Sequence, residues 1–250
     1  MLYCIIFLVK MLLNYSSPND SINFQAAQLK NSRVQVAYSE KESKVKKLFA
    51  DKNLEYPPKE IYFRAFKTEK IFEVWSYDLP TKKFVLVRTY PICQSSGVIG
   101  PKRQEGDLQV PEGFYHISVF NPNSNYFLSL GINYPNPSDS ILTTNKTAPG
   151  GDIYIHGDCL SIGCIPLTDD FIKEVYLMAV KAKDRGQSEI PVHIFPFKFN
   201  NQVYESFLLN YKNSLIKDFW NSLKSVYTSF EKYKLIPKIS ITKEGKYIMN

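Results

Sequence analysis

Between residues 61 and 132, several short segments have a two-residue period in their side chains. This periodicity restricts the fold more than any other feature of the sequence. In the first segment, Ile61, Phe63 and Ala65 alternate with Tyr62, Arg64 and Phe66. A two-residue period places alternate side chains on one face of a β-strand. Turn residues separate the segments. The pattern predicts antiparallel strands at residues 61–66, 71–77 and 84–90, with a meander as their simplest topology, and further strands at residues 114–120 and 126–132.

Helical patterns flank and interrupt these strands. Ser39-Glu40-Lys41-Glu42 has the form of a capping box and predicts the start of a helix. Thr168 followed by two acidic residues predicts another start. The predicted helices cover residues 39–52, 168–186 and 201–234. Short strands at residues 152–155 and 190–195 complete the pattern, so the expected fold class is α+β and mostly β.

Composition limits the class of protein. The chain has 250 residues, of which 44% are hydrophobic and 22% charged, so one main domain with a sizeable core is expected. The net charge of +7 is confined to the two ends, because residues 53–199 contain 15 Lys and Arg against 16 Asp and Glu. A nucleic-acid-binding protein gathers its basic groups on one surface. We therefore expect no nucleic acid partner.

The first thirteen residues, MLYCIIFLVKMLL, are apolar except for Lys10. They are too short for a membrane span and fit the apolar core of a secretion signal. We predict a signal peptide or short membrane anchor at residues 1–20, with a buried N-terminal strand as the alternative. Removal of the signal would leave three cysteines, Cys93, Cys159 and Cys164, so at least one thiol would stay unpaired.

The segment His156 to Pro166, HGDCLSIGCIP, contains one of three histidines and two of four cysteines. A cysteine nucleophile acts as a thiolate, so it needs a base nearby and some exposure. His156, at the end of a strand, can supply the base for Cys164. Gly163 leaves room for a substrate, and the amides near Gly163 and Cys164 can face a developing oxyanion. Ser161 can orient the imidazole or donate to the substrate.

Two other interpretations of this segment stay open. His156, Cys159 and Cys164 have a spacing that fits three zinc ligands, although no fourth ligand is evident. Alternatively, both cysteines are small buried residues and the histidine is structural. Cys159 would then be a packed thiol, or a redox partner of Cys164. His116 and His193 lie in strand patterns and are expected to be structural.

The segment resembles the active-site motif of the L,D-transpeptidase family, which has a YkuD-type catalytic domain. In that family a His-Gly at a strand end precedes Ser-x-Gly-Cys, matched here by His156-Gly157 and Ser161-Ile162-Gly163-Cys164. The gap between the two elements is short, and Pro166 stands where an Arg is usual. Both features resemble the YafK-like branch of the family. So do several other segments within residues 30–199: PPKEIYFRAFK, TYPICQSSGVIGPKRQEGD, VPEGFY, LSLGINYPN and GGDIYIHGDC.

The resemblance implies a YkuD-type fold, with Cys164 as the acyl-accepting nucleophile, His156 as its general base, and Gly157, Ser161 and Gly163 as motif residues. Because Pro166 replaces the usual Arg, we expect Lys102 or Arg103, in the glycine-rich loop of residues 97–113, to bind a substrate carboxylate. The resemblance divides the chain into an N-terminal helical segment at residues 21–58, the catalytic domain at residues 59–199 and a C-terminal helical extension at residues 200–250.

The implied substrates are peptidoglycan stem peptides, and the implied location is the periplasm or cell envelope. No cofactor or metal is expected. The branch also resembles amidases that release a lipoprotein from the wall, so a wall-linked lipoprotein is a second candidate partner. An inactive wall-binding module is the alternative from another class of protein, and the reactivity of Cys164 toward an electrophile distinguishes it from an enzyme.

Overall fold

The computed structural model describes residues 24–199, 205–206, 209 and 214–250. The predicted signal at residues 1–20 lies outside these residues. Within the described ranges, no helix has both the length and the apolar character needed to cross a membrane. The helices, in chain order, are α1 (Phe24–Gln28), α2 (Ser32–Ala50), α3 (Pro137–Leu142), α4 (Asp169–Asp184) and α5 (Ser214–Tyr233).

Eight strands form one mixed sheet in the order β3-β2-β1-β8-β4-β5-β6-β7. A separate hairpin pairs β9 with β10. The strands are β1 (Ile61–Phe66), β2 (Ile71–Asp78), β3 (Lys83–Pro91), β4 (Gly113–Asn121), β5 (Ser129–Ile132), β6 (Tyr154–His156), β7 (Ile165–Pro166), β8 (Pro191–Phe195), β9 (Ile239–Ile241) and β10 (Tyr247–Met249). The predicted α+β, β-rich fold class is confirmed.

Strand β1 shows how its two-residue period divides the core. Ile61, Phe63 and Ala65 contribute to the apolar cluster that includes α2 and α4. Tyr62 and Phe66, on the opposite face, pack against residues of α5. Because helices cover both faces, all six residues of β1 are buried. The C-terminal helix is therefore part of the core and not a peripheral appendage.

The buried Arg64 lies among these aromatic rings, and two carboxylates balance its positive charge. Its guanidinium donates to Glu73 at 2.6 and 2.9 Å and to Glu231, on α5, at 2.7 Å. A buried charge is tolerated only when it is paired and hydrogen-bonded. This network therefore links the sheet to α5.

Several local predictions were wrong. Helix α2 begins at Ser32 with Asn31 as its N-cap, and the Ser39 hydroxyl donates to the Val36 carbonyl inside the helix. The helix extends upstream because Val34 and Ala37 are buried in the core. The meander predicted for β1 to β3, by contrast, is confirmed, and β8 lies between β1 and β4 and runs parallel to β1. Helix α3 and the β9–β10 hairpin were not predicted.

The glycine-rich loop between β3 and β4 is anchored at its base. Lys67 Nζ donates to the carbonyls of Gly100 and Val110 and to Glu112, all within 2.9 Å. Glu112 also accepts hydrogen bonds from the Gly100 amide and the Trp220 indole, each at 2.9 Å. The loop is thus tied to both the sheet and α5, which places it beside the short strands at the other end of the sheet.

Candidate active site

A cleft of about 560 Å³ opens at the end of the sheet formed by β5, β6 and β7. The predicted pair His156 and Cys164 both line it, and so does Ser161. The other lining residues are Gln94, Asn121, Ser124, Asn125, Tyr126, Ser129, Asp152, Tyr154, Leu160 and Ile162. The structure therefore brings the predicted base and nucleophile to one concave surface.

His156 is the last residue of β6 and is held on both sides. It pairs with Ser129 of β5 and with Pro166 of β7, and its carbonyl accepts the Leu167 amide at 2.7 Å. Its side chain is almost fully buried, under the ring of Tyr126, which stacks on the imidazole with centroids 4.5 Å apart. A base on a paired strand is oriented more rigidly than one on a loop.

The hydrogen bond of His156 selects its tautomer. The imidazole Nδ1 lies within hydrogen-bonding distance of the Gly157 carbonyl, which can only accept. Nδ1 must therefore carry the proton in the neutral ring, which leaves the Nε2 lone pair as the basic atom. Burial lowers the pKa of His156, and the Gly157 carbonyl and the Asp158 charge oppose that effect. The resting imidazole is thereby kept neutral, as a general base requires.

Cys164 precedes β7 and lies beside the start of β6. Its sulfur accepts the Tyr154 amide at 3.4 Å and donates to the Asp152 carbonyl at 3.6 Å. Burial raises the pKa of the thiol, as does the Asp152 charge, whereas the Tyr154 amide and the Lys102 charge lower it. The resting Cys164 side chain is therefore a neutral thiol in the cleft that His156 also lines, and a nucleophilic role would require attack coupled to proton transfer.

The three other motif residues shape the loop that carries Cys164. The Ser161 hydroxyl donates to the Cys164 carbonyl at 2.8 Å and accepts the Gly163 amide at 3.2 Å, so it orients the loop and not the imidazole. Gly163 has a φ of +136°, which glycine adopts without strain. At Gly157, a Cβ atom would lie 2.7 Å from the Tyr126 carbonyl and against Asp169, so only glycine fits there.

A disulfide joins Cys93 to Cys159. It connects the chain just after β3 to the loop between His156 and Cys164. Cys164 is left as the free cysteine among the described residues. The expectation that Cys159 is a packed thiol or a redox partner of Cys164 was wrong, because 66 residues separate it from its actual partner and spacing could not reveal the pair. The zinc alternative loses one of its three ligands to this bond.

The structure does not bring Lys102 and Arg103 into the cleft. Lys102 is buried and donates to Asp107 at 2.6 Å, while Arg103 pairs with Asp139 at 3.2 Å and lies over the Phe219 ring. Buried cations need a carboxylate partner, and each finds one in this region of the fold. Their predicted role in binding a substrate carboxylate therefore has no support from the geometry.

Sequence reasoning missed three residues at the site: Tyr126, Asp152 and Tyr154. All three belong to segments predicted as strands, and Asp152 and Tyr154 directly precede His156. The two-residue period could have placed them on the face of His156.

His116 and His193 lie away from the cleft. His193 is buried and bonded to the Tyr62 hydroxyl at 2.6 Å, and burial together with Arg64 lowers its pKa to about 3.

Comparison with known proteins agrees with this site. The family model for the L,D-transpeptidase catalytic domain, YkuD, matches residues 64–194, which include both His156 and Cys164. The chain belongs to this family. It is also 33% identical over 192 residues to the protein YafK of Escherichia coli, from strain K12 and from O157:H7, covering 76% of this chain and 74% of each relative. The predicted YkuD-type fold and the YafK-like branch are therefore confirmed.

Two solved structures resemble the chain more distantly. The helical cell shape determining protein Pgp2 of Campylobacter jejuni is 22% identical, with a TM-score of 0.44 and coverage of 73% of both chains. Bd1075 of Bdellovibrio bacteriovorus is 19% identical, with a TM-score of 0.39, covering 68% of this chain and 62% of that one.

Proposed function

We propose that the protein is a cysteine acyltransferase that acts on peptidoglycan stem peptides through a thioester on Cys164. The observation that carries this proposal is the shared cleft, in which the free thiol of Cys164 and the oriented imidazole of His156 face the same space. Family membership supports the substrate class.

In the acylation step, His156 Nε2 takes the thiol proton as the sulfur attacks the carbonyl on the L-centre of a diaminopimelate residue. A bond forms between sulfur and carbon, and the amide bond breaks. The leaving amine receives the proton from the imidazolium. In the second step an amine attacks the thioester, His156 takes its proton, and the thiol is restored.

The tetrahedral intermediate needs hydrogen-bond donors for its oxyanion. The Gly163 amide already donates to Ser161. We therefore assign the oxyanion to the backbone amide of Cys164, which Ser161 helps to orient through the Cys164 carbonyl. This assignment narrows the earlier prediction, in which either amide could act.

Hydrolysis is the second candidate outcome, and the exposure of the site favours it. Cys164 is partly exposed, and its cleft neighbours Asp152, Leu160 and Ile162 are exposed. Water can therefore reach a thioester formed on Cys164, whereas a transferase must exclude water in favour of an amine. In that case the protein would act as an amidase that releases a peptide, or a wall-linked lipoprotein, from diaminopimelate.

The proposed location is the periplasm or cell envelope. Disulfides persist in oxidising compartments and are rare in the cytosol. The Cys93–Cys159 bond supports an oxidising location, as does a substrate that lies outside the inner membrane.

Incubation with purified muropeptides followed by intact mass measurement tests this function. We expect an acyl adduct on the wild-type protein and none on Cys164→Ala, with turnover reduced at least about a thousandfold because the covalent route is lost. The thermal stability should change little, since the side chain is partly exposed. The released products separate transfer from hydrolysis. Cys164→Ala turnover near that of the wild type would contradict the proposal, as would the absence of an acyl adduct on the wild-type protein.

A further inference from the structure

The charge of the cleft is unusual for a site expected to bind carboxylate-rich peptides. Among the described residues that line it, Asp152 is the permanently charged side chain. Most of the polar neighbours are neutral amides and hydroxyls, such as Gln94, Asn121 and Ser124. The cleft therefore presents one negative charge and no Lys or Arg to its substrate.

Asp152 is close to the reacting sulfur. Its backbone carbonyl accepts from Cys164 Sγ at 3.6 Å, and its side chain is exposed. Within the described part of the chain, no Lys, Arg or His forms an ion pair with this carboxylate. The Tyr154 hydroxyl is its hydrogen-bonding neighbour, and the pKa of Tyr154 is raised by burial and then by Asp152. Asp152 thus offers an unneutralised acceptor at the edge of the cleft.

Asp152 works against ionisation of Cys164, and the Lys102 ammonium, which is already paired with Asp107, offsets that effect by less. A carboxylate beside a thiol opposes formation of the thiolate, and Asp152 raises the pKa of Cys164. A bound cation would offset that repulsion. The backbone does not explain the residue either, because Asp152 has a φ of +53°, which Asn or Gly would adopt equally well.

We propose that Asp152 determines specificity in this cleft by binding a free ammonium group on the side chain of the diamino residue whose carbonyl Cys164 attacks. The proposal rests on the proposed function and narrows it, because it selects stem peptides whose diamino acid keeps its second amine unmodified. Binding of that ammonium would also add a positive charge, beyond that of Lys102, near the nucleophile when substrate is present.

Two synthetic stem peptides test this inference. They are identical except that the side chain of the diamino residue ends in an ammonium group in one and in a methyl group in the other. Binding is measured calorimetrically on Cys164→Ala protein, with and without the second substitution Asp152→Asn. We expect the ammonium peptide to bind at least about tenfold more tightly than the methyl peptide when Asp152 is present, and the two peptides to bind equally in the Asp152→Asn protein. The affinity for the methyl peptide should not change.

Asp51→Asn is the matched control, because Asp51 is an exposed carboxylate at the end of α2. Loss of the same preference in Asp51→Asn would show a general charge effect and overturn the assignment. An unchanged preference in Asp152→Asn would overturn it directly, and absence of binding by both peptides would contradict both proposals. Turnover by the protein with Cys164 intact is scored separately. If the protein prefers the ammonium peptide but shows no turnover, the cation site is supported and the proposed function is rejected. If it shows turnover but no preference between the peptides, the proposed function is supported and the cation site is rejected.

Discussion

The two ends of the sheet are built differently. The core end consists of β1, β2, β3 and β8, and β1 to β3 have between six and nine residues each. The cleft end consists of β5, β6 and β7, and the last two strands have three and two residues. Layers of aromatic and aliphatic side chains hold the core end from both faces. The cleft end also buries apolar side chains, such as Leu130, Ile155 and Ile165, and adds hydrogen bonds, tight glycine contacts and one disulfide around His156 and Cys164.

The difference between the two ends suggests that the core end mainly stabilises the fold and that the cleft end mainly positions the groups that react. Apolar burial is non-directional, so the core end can stabilise the fold without defining the position of any one atom closely. A nucleophile and its base need a fixed geometry, which directional contacts supply at the cleft end. Variants at the core end should therefore change the free energy of unfolding and leave chemistry intact, and variants at the cleft end should change chemistry.

The largest expected effect on stability is at Trp220. Its indole is fully buried against Phe197 and donates to Glu112. Trp220→Ala should lower the free energy of unfolding by about 3 to 5 kcal/mol, because it leaves a cavity and removes the indole donor from one oxygen of Glu112. Urea unfolding measures this change. Trp220→Phe, which keeps most of the volume, should cost less. Loss of Cys164 reactivity in folded Trp220→Ala protein would break the proposed separation of the two ends.

The disulfide should affect both properties. Replacement of Cys93 and Cys159 by Ser should lower the free energy of unfolding by about 2 to 4 kcal/mol, because the unfolded chain is no longer constrained. It should also lower turnover between about tenfold and a hundredfold, since the loop that carries Cys164 loses its covalent tie.

Dithiothreitol provides the control for that experiment. Reductant should reproduce the loss of turnover in the wild type and have no further effect on the double variant. Full turnover by the reduced wild type would show that hydrogen bonds alone position the cleft end.

The smallest expected effect is a shift in pH dependence at Tyr126. Its ring covers His156, and burial lowers the pKa of the imidazole. Tyr126→Ala should raise that pKa toward its ordinary value, because the imidazole becomes more exposed to water. Because imidazolium cannot accept the thiol proton, the acidic limb of the kcat/KM profile should move to higher pH. Tyr126→Phe should leave it in place. A limb that stays or moves to lower pH in Tyr126→Ala would show that the ring does not control the base.

Much of the β-rich fold could be predicted from the sequence. The strand pattern of β1 was correct to the residue, because both of its faces are covered and the alternation is strict. The position of β8 between β1 and β4 could not be predicted, since no local signal records which strand inserts where. The start of helix α2 was predicted at Ser39, but the helix begins at Ser32 because the buried Val34 extends it upstream. A Ser-x-x-Glu sequence can occur inside a helix as well as at its start, so the motif alone did not locate the first residue.

The candidate site shows the same division. The sequence by itself predicted that His156 and Cys164 share a cleft, because a His at a strand end and a Cys in a glycine-containing loop are linked by only a few residues of local structure. The tertiary structure alone decided the partners of Cys159 and Arg103. The disulfide across 66 residues and the Arg103–Asp139 ion pair join groups that only packing brings together, whereas Lys102 pairs with Asp107 inside its own loop. Burial also favours the neutral forms of His156 and Cys164. Motif residues that are neighbours in the sequence can be identified from the sequence. The pairing of distant residues and the desolvation of titratable groups depend on distances that exist only in the folded chain.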